Sequence, residues 1–223
     1  MPDNKLKIKA DYKGKIEDIW TGNAYYQDAE KWMEIQWHEM VWPIIKDCDF
    51  SNVVDLACGR GRNTTKLIPV SKKITLIDIC QDNIDYCKTR FKKEKGLSFK
   101  KCDGDSIPMK DESVSLMYCF DAMVHFDPEI VYNYLNETFR VLKPGGMAFF
   151  HHSNYSLWCN TDWRHNPHAR NFMTYHLFSL WARKAGLEVV SQKVIPWGEK
   201  ETGTYAEGLD CLSFLRRPEK CQE

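Results

Sequence analysis

Residues 53–64 read VVDLACGRGRNT. A glycine turn after a β-prone run lets backbone amides approach a ligand closely. A Walker phosphate loop needs Gly-x-x-x-x-Gly-Lys-Ser/Thr, which this stretch lacks. A dinucleotide fingerprint needs a third glycine where Thr64 stands. Arg60 and Arg62 also crowd the turn, and Asp55 closes the apolar run before it. A carboxylate there suits a cationic ligand better than a pyrophosphate. A second acid, Asp78, ends the next apolar run 23 residues later, where it can accept both ribose hydroxyls of an adenosine.

Six of the seven histidines lie between positions 125 and 176. Histidine titrates near neutrality and can take a proton from a hydroxyl or an amine. His152, His151 and His125 are therefore candidate bases, with a rate expected to rise through a pKa of about 6.5. Adjacent residues on a strand face opposite sides, so at most one of His151 and His152 reaches a given crevice. The pair cannot easily ligate one ion, and no metal is expected. The segment WCNTDWRHNPHAR (158–170) adds Trp163, Arg164, His165 and Arg170 as candidate contacts to a polar or anionic substrate.

These residues have to be held by an alternation of strands and helices. Asn52–Ala57, Lys73–Asp78, Leu97–Cys102, Val114–Phe120 and Met147–His152 read as strands, with helices over Asn63–Leu67 and Gln81–Lys93. Asp127 is expected to cap a helix that begins at Pro128 and runs to Leu142, stopped by Pro144-Gly145-Gly146. A helix over Thr174–Ala185 precedes two last strands, Leu187–Ile195 and Gly208–Leu215, joined as a hairpin. This order predicts a doubly wound α/β fold with a mainly parallel, seven-stranded, Rossmann-like sheet whose last strand is antiparallel. Residues 1–46 form a helical, aromatic N-terminal cap kinked at Pro43, part of the same domain. Residues 47–223 hold the catalytic domain, with an acceptor loop at 153–172. Ligands of such sheets bind beyond the carboxyl ends of the strands.

The order Asp55-x-Ala57-x-Gly59-x-Gly61 resembles motif I of the class I S-adenosylmethionine-dependent methyltransferases, with Ala57 in place of the first glycine. That replacement asks the backbone at Ala57 to avoid positive φ. Three further stretches resemble the family in the same order. Asp78 ends ITLIDIC, Asp103 precedes Ile107-Pro108-Met109, and FRVLKPGGMAFF resembles the Arg-Val-Leu-Lys-Pro-Gly-Gly signature. The resemblance implies S-adenosylmethionine as cofactor, held by Asp55, Ala57, Gly59, Gly61, Asp78, Ile79, Asp103, Gly104 and Phe120. It also implies an N-terminal aromatic cover over the methionine end, for which Trp20, Tyr25 and Tyr26 are candidates. A branched side chain at Gly61 is expected to block the cofactor while sparing the fold.

Lys plus Arg and Asp plus Glu both number 31, so the formal charge is zero. That balance argues against nucleic acid as a partner. The absence of Asn-Pro-Pro-Tyr or Asp-Pro-Pro-Tyr after the fourth strand argues against nucleobase amino methylation. Nine cysteines without a Cys-x-x-Cys read as reduced thiols, hence a cytoplasmic chain. No apolar stretch reaches the 18 residues of a spanning helix. The expected activity is methyl transfer to an oxygen or nitrogen of a small polar acceptor (a sugar, a glycan precursor or another metabolite) by a monomer or homodimer. The alternative is a catalytically silent S-adenosylmethionine-binding regulator.

Overall fold

Three apolar runs become strands that are buried from end to end: β1 (Val53–Leu56), β2 (Ile74–Asp78) and, further on, β4 (Val114–Cys119). Strands with helices on both faces must be apolar throughout. The computed structural model describes residues 25–157 and 162–220. Its other strands are β3 (Leu97–Lys101), β5 (Leu142–Ser153), β6 (Glu188–Trp197) and β7 (Ala206–Arg216). All seven join one sheet in the order β3-β2-β1-β4-β5-β7-β6. The pairs among β1 to β5 are parallel, and β7 runs antiparallel to both of its neighbours.

One face of the sheet is covered by a run of short helices. These are α1 (Tyr25–Glu30), α2 (Met33–Gln36), a π-helical turn (Trp37–Val41) and α3 (Trp42–Ile45). Met33, Trp37, Val41 and Ile45 recur at helical spacing and pack with Val53, Leu67, Ile74 and Leu116. The bend expected at Pro43 is realised one turn earlier. A proline ring clashes with the carbonyl four residues back in a regular helix, and the π turn just before it relieves that contact. Trp20 lies outside the described residues.

The same face carries α4 (Thr64–Leu67) and α5 (Gln81–Arg90), and the far face carries α6 (Pro128–Val141) and α7 (Tyr175–Lys184). The periodicity of α6 sets an inner stripe of Ile130, Val131, Tyr134, Leu135, Thr138 and Val141, of which all but the half-buried Ile130 are buried. Asp127 occupies the N-cap position but does not cap the helix. Its carboxylate accepts from Asn171 Nδ2 at 2.6 Å instead. α6 ends at Val141, ahead of Pro144, and Lys143-Pro144-Gly145-Gly146 already belongs to β5.

Gly61 has φ +78°, a left-handed conformation. A Cβ added there would stand 2.4 Å from Phe91 Cε2 and 3.3 Å from Cys87 Sγ. Both side chains lie in the core at and just beyond the end of α5, so packing alone already requires the glycine. Gly61→Val is therefore expected to destabilise the fold itself by roughly 2–4 kcal/mol, from overpacking and left-handed strain. Urea unfolding of the ligand-free variant checks this.

Candidate active site

β1 and β4 are neighbours, and the chain winds outward from them in both directions. Ligands of such sheets sit in the crevice at this switch point. Here the crevice is lined on the loop side by Ala57, Gly59 and Arg62, on the strand side by Phe120 and Asp121, and on the cap side by Tyr25 and Tyr26. The loop turns through three left-handed residues: Ala57 (φ +55°), Gly59 (φ +53°) and Gly61. Ala57 thus adopts the conformation that it was expected to avoid. The backbone still turns as a glycine would make it turn, at a strain of about 1–2 kcal/mol.

Gly59 is tied to the end of β2, because its N–H donates to Asp78 Oδ2 at 2.8 Å. The other carboxylate oxygen of Asp78 accepts from Cys80 N–H at 2.8 Å and from Asn83 Nδ2 at 3.2 Å. Burial pushes the Asp78 carboxyl up, while the Cys80 and Gly59 amides pull it down. Asp55 does not line the crevice. It is buried beneath the loop, where Thr64 Oγ1 donates to its Oδ2 at 2.6 Å and fixes the start of α4. Burial pushes its carboxyl up to about 7.

At the other end, Asp121 follows β4 with φ +59°, uncommon for a residue with a side chain. Arg62 Nη2 donates to Asp121 Oδ2 at 2.9 Å, and the Tyr25 hydroxyl donates to the same oxygen. Arg170 binds Asp210 on β7 through Nε and Nη2, at 2.8 and 2.6 Å, and approaches Asp121 at 3.9 Å. His151 bridges the two acids. Its Nδ1 accepts the Asp121 N–H at 3.2 Å, which leaves Nε2 to donate to Asp210 at 2.9 Å. Asp121 and Asp210 both lie below the usual carboxylate range: burial opposes their ionisation, but Arg62 and Arg170 outweigh it at Asp121, and His151 and Arg170 outweigh it at Asp210.

The two neighbouring histidines do face opposite ways. His151 lies against Phe120 and Trp197, whereas His152 stacks on Phe178 of α7 at 3.8 Å. Both ring nitrogens of His152 are bonded, to the Ser153 carbonyl and Ser213 Oγ, and burial pushes its pKa down to about 3. His125 packs on Trp163, with Nδ1 bonded to the Ala169 carbonyl, and burial followed by Arg170 pushes it down to about 4.

The remaining expected contacts divide. Arg170 joins the buried cluster, while Arg164 is exposed and paired with Asp162, and His165 is exposed. Asp103 Oδ1 accepts from the amides of Asp105 and Ser106, and Gly104 turns beside it at φ +81°. Ile79 packs against the core, and Phe120 stacks on Phe149 at the cleft floor. Sequence reasoning missed Asp121 and Asp210 as members of the site. A lone acid within the apolar run Gly208-Leu209-Asp210-Cys211-Leu212 was the available signal for the second.

The sequence profile described as "Methyltransferase domain" matches residues 53–146, spanning the glycine loop, Asp78, Asp121 and the start of β5. Over residues 53–146 the chain carries a methyltransferase domain of the class I, S-adenosylmethionine-dependent type. The phthiotriol/phenolphthiotriol dimycocerosates methyltransferase of Mycobacterium tuberculosis is 32% identical over 108 residues, 45% of this chain and 37% of that protein. The chain thus matches little more than a third of the length of that relative. In fold it is similar to the geranyl diphosphate C-methyltransferase of Streptomyces coelicolor A3(2). That likeness has a TM-score of 0.68 at 13% identity, over 92% of this chain and 98% of that one. It is similar also to a putative methyltransferase of Haloferax volcanii solved with the Trm112 activator. There the TM-score is 0.67 at 20% identity, over 89% and 97% of the two chains.

The residues present fit the family's cofactor in chemistry. A buried carboxylate ends β2 beside a left-handed glycine whose amide it fixes. Among the described residues no group of three or more His, Cys, Asp or Glu is placed to hold a metal.

Asp55 carries a pH prediction. Its carboxyl titrates near 4 when unfolded and near 7 when folded. The folded state therefore holds the extra proton between these values. This group's contribution is intact below about pH 4 and is lost as the pH rises towards 7. Asp55→Asn is expected to gain about 1–3 kcal/mol on the wild type between pH 5 and pH 8, read from urea midpoints at both. An equal difference at the two pH values would show that Asp55 ionises normally.

Proposed function

We propose that this chain transfers the methyl group of S-adenosylmethionine to an oxygen or nitrogen of a small polar acceptor, such as a sugar, a glycan precursor or another metabolite. The observation that carries the acceptor class is the crevice wall at the carboxyl ends of β4 and β5, beside the amino-terminal half of β7. Asp121 faces the crevice, and His151, Arg170 and Asp210 are buried behind it. A wall of paired charges orients hydrogen-bonding groups and repels an apolar chain, because unpaired buried polar groups are costly. The lipid and prenyl acceptors in the relatives' names belong to those proteins.

The cofactor, when bound, supplies an electrophilic methyl whose sulfonium charge is lost on transfer. The chain's task is then to hold nucleophile and methyl in line at roughly 3–3.5 Å. In this reading Asp78 takes the ribose hydroxyls, Ile79, Asp103 and Gly104 flank the adenine, and Phe120 floors the site. Arg170, Trp163, Arg164 and His165 face the acceptor. Among His152, His151 and His125 we take His125 as the base. With a pKa pushed down to about 4 it is deprotonated throughout the neutral range. The rate should then stay level above about pH 5.5 rather than rise near 6.5. His151 acts as a positioning residue, holding Asp121 and Asp210.

The neutral net charge supports a chain that works without nucleic acid, and the seven described free thiols support a reducing, cytoplasmic setting. Among the described residues no helix is long and apolar enough to cross a membrane. We take the working form to be a monomer or homodimer.

Turnover of methyl-labelled S-adenosylmethionine across sugars, nucleotide-sugars and small amines tests the reading, with the new bond assigned by NMR. A methyl on oxygen or nitrogen supports it, and a methyl on carbon overturns the acceptor class. Binding without any turnover favours the silent regulator. Asp78→Ala should weaken S-adenosylhomocysteine binding at least about tenfold, since it removes charge-assisted bonds. Unchanged affinity in the folded variant would remove Asp78 from the site.

A further inference from the structure

Tyr25 and Tyr26 are consecutive residues of α1, and their rings diverge, with centroids 6.1 Å apart at 63°. One hydroxyl reaches an acid at one end of the crevice directly, and the other reaches the acid at the opposite end through an asparagine amide. The Tyr25 hydroxyl donates to Asp121 at the end of β4. The Tyr26 hydroxyl accepts from Asn83 Nδ2 at 2.9 Å, and that same amide bonds Asp78 at the end of β2. The Tyr26 ring also covers the glycine turn. A Cβ on Gly59 would stand 2.7 Å from its Cε1. The space left between loop and cap is about 40 Å³. That holds about three waters at roughly 10–15 Å³ each, far below the roughly 300–1,000 Å³ of a small-molecule site. The gap lined by the two rings, the glycine loop, Phe120 and Asp121 is too small for the amino-acid end of a nucleoside that carries one while the rings stay in place.

We propose that α1 is a built-in competitor, with Tyr26 occupying the place of the cofactor's adenosine and Tyr25 the place of its amino-acid end. The cofactor must expel both rings before it can bind. The proposal rests on the assignment of the crevice to S-adenosylmethionine. It differs from a cover that closes over bound cofactor, because cap and cofactor here exclude each other.

The way α1 is held agrees with displacement. Only Ala29 of α1 is buried. Its backbone is also held by Arg62 Nη1, which donates to the Ala29 carbonyl at 2.9 Å, and at the rim Glu30 pairs with Arg90 at 2.5 Å. Arg60 lies between the rings of Tyr26 and Tyr86, at 5.2 and 4.8 Å from their centroids. Rim ion pairs and partly exposed cation–π contacts are individually weak. Arg62 also binds Asp121, so losing the cap leaves this guanidinium paired.

An equilibrium between a capped and an open form lowers apparent affinity by the open fraction, and weakening the cap restores it. Calorimetric binding of S-adenosylhomocysteine and of 5′-methylthioadenosine, which lacks the amino-acid tail, separates the two tyrosines. Tyr26→Ala should tighten both ligands about five- to tenfold. Tyr25→Phe should tighten S-adenosylhomocysteine by about threefold or more, and methylthioadenosine by a smaller factor. Hydrogen exchange at residues 25–36 of the wild type should speed up when S-adenosylhomocysteine is added. Slower exchange, or weaker or unchanged binding in both variants, would overturn the proposal while leaving the cofactor assignment standing. If neither the wild type nor either variant binds S-adenosylhomocysteine, the cofactor assignment fails and the proposal with it.

Discussion

Two arginines and two aspartates are buried together where β4 and β5 end beside the first half of β7, and the crevice has its shape because their charges cancel. Each belongs to a different part of the chain: Arg62 to the glycine loop, Asp121 to the end of β4, Arg170 to the irregular segment after β5, and Asp210 to β7. Removing one partner of such a set leaves an uncompensated buried charge at a cost of about 3–5 kcal/mol. The cluster therefore acts as a clamp on the positions of four segments at once. Hydrophobic packing alone, which is non-directional, could not set those positions as closely.

The glycine loop obeys a similar logic on a smaller scale. Its three left-handed residues are held because Asp78 accepts the Gly59 amide and because Phe91 fills the space beside Gly61. A carboxylate that shapes a loop and also awaits a ligand must keep accepting capacity in reserve. Asp78 does so, since each ionised oxygen accepts two or more bonds and Oδ2 takes Gly59. Ala57 shows the limit of motif reading. The motif requires a backbone conformation, and an alanine can supply it at a modest cost.

The alternation of strands and helices was legible in the sequence because continuous apolar runs, turn residues and the Asp127–Pro128 pair are local signals. The opposite facing of His151 and His152 followed from strand parity alone. What could not be read were partners distant in sequence. Asp121 looks like the first residue of a loop and Asp210 like an isolated fault in an apolar strand, until the fold sets Arg170 within reach of both. Arg164 shows the converse. It resembles a free anion binder in composition, yet its carboxylate partner, Asp162, stands two residues away. The bonds that occupy the rings of His151 and His152 come from β7 and from the backbone, which no spacing rule reveals.

The sheet is completed out of sequence order. β7 follows β6 in the chain, yet it inserts between β5 and β6. While the chain is being synthesised, β5 therefore waits with an unpaired edge, and β6 has no neighbour at all. Arg170 and His151 are both in place before the acid that neutralises them has left the ribosome. The finished cluster thus reports that translation has passed Asp210. A chain interrupted before that point would carry an unsatisfied guanidinium beside an open apolar edge, features by which quality-control machinery can tell an incomplete product from a complete one.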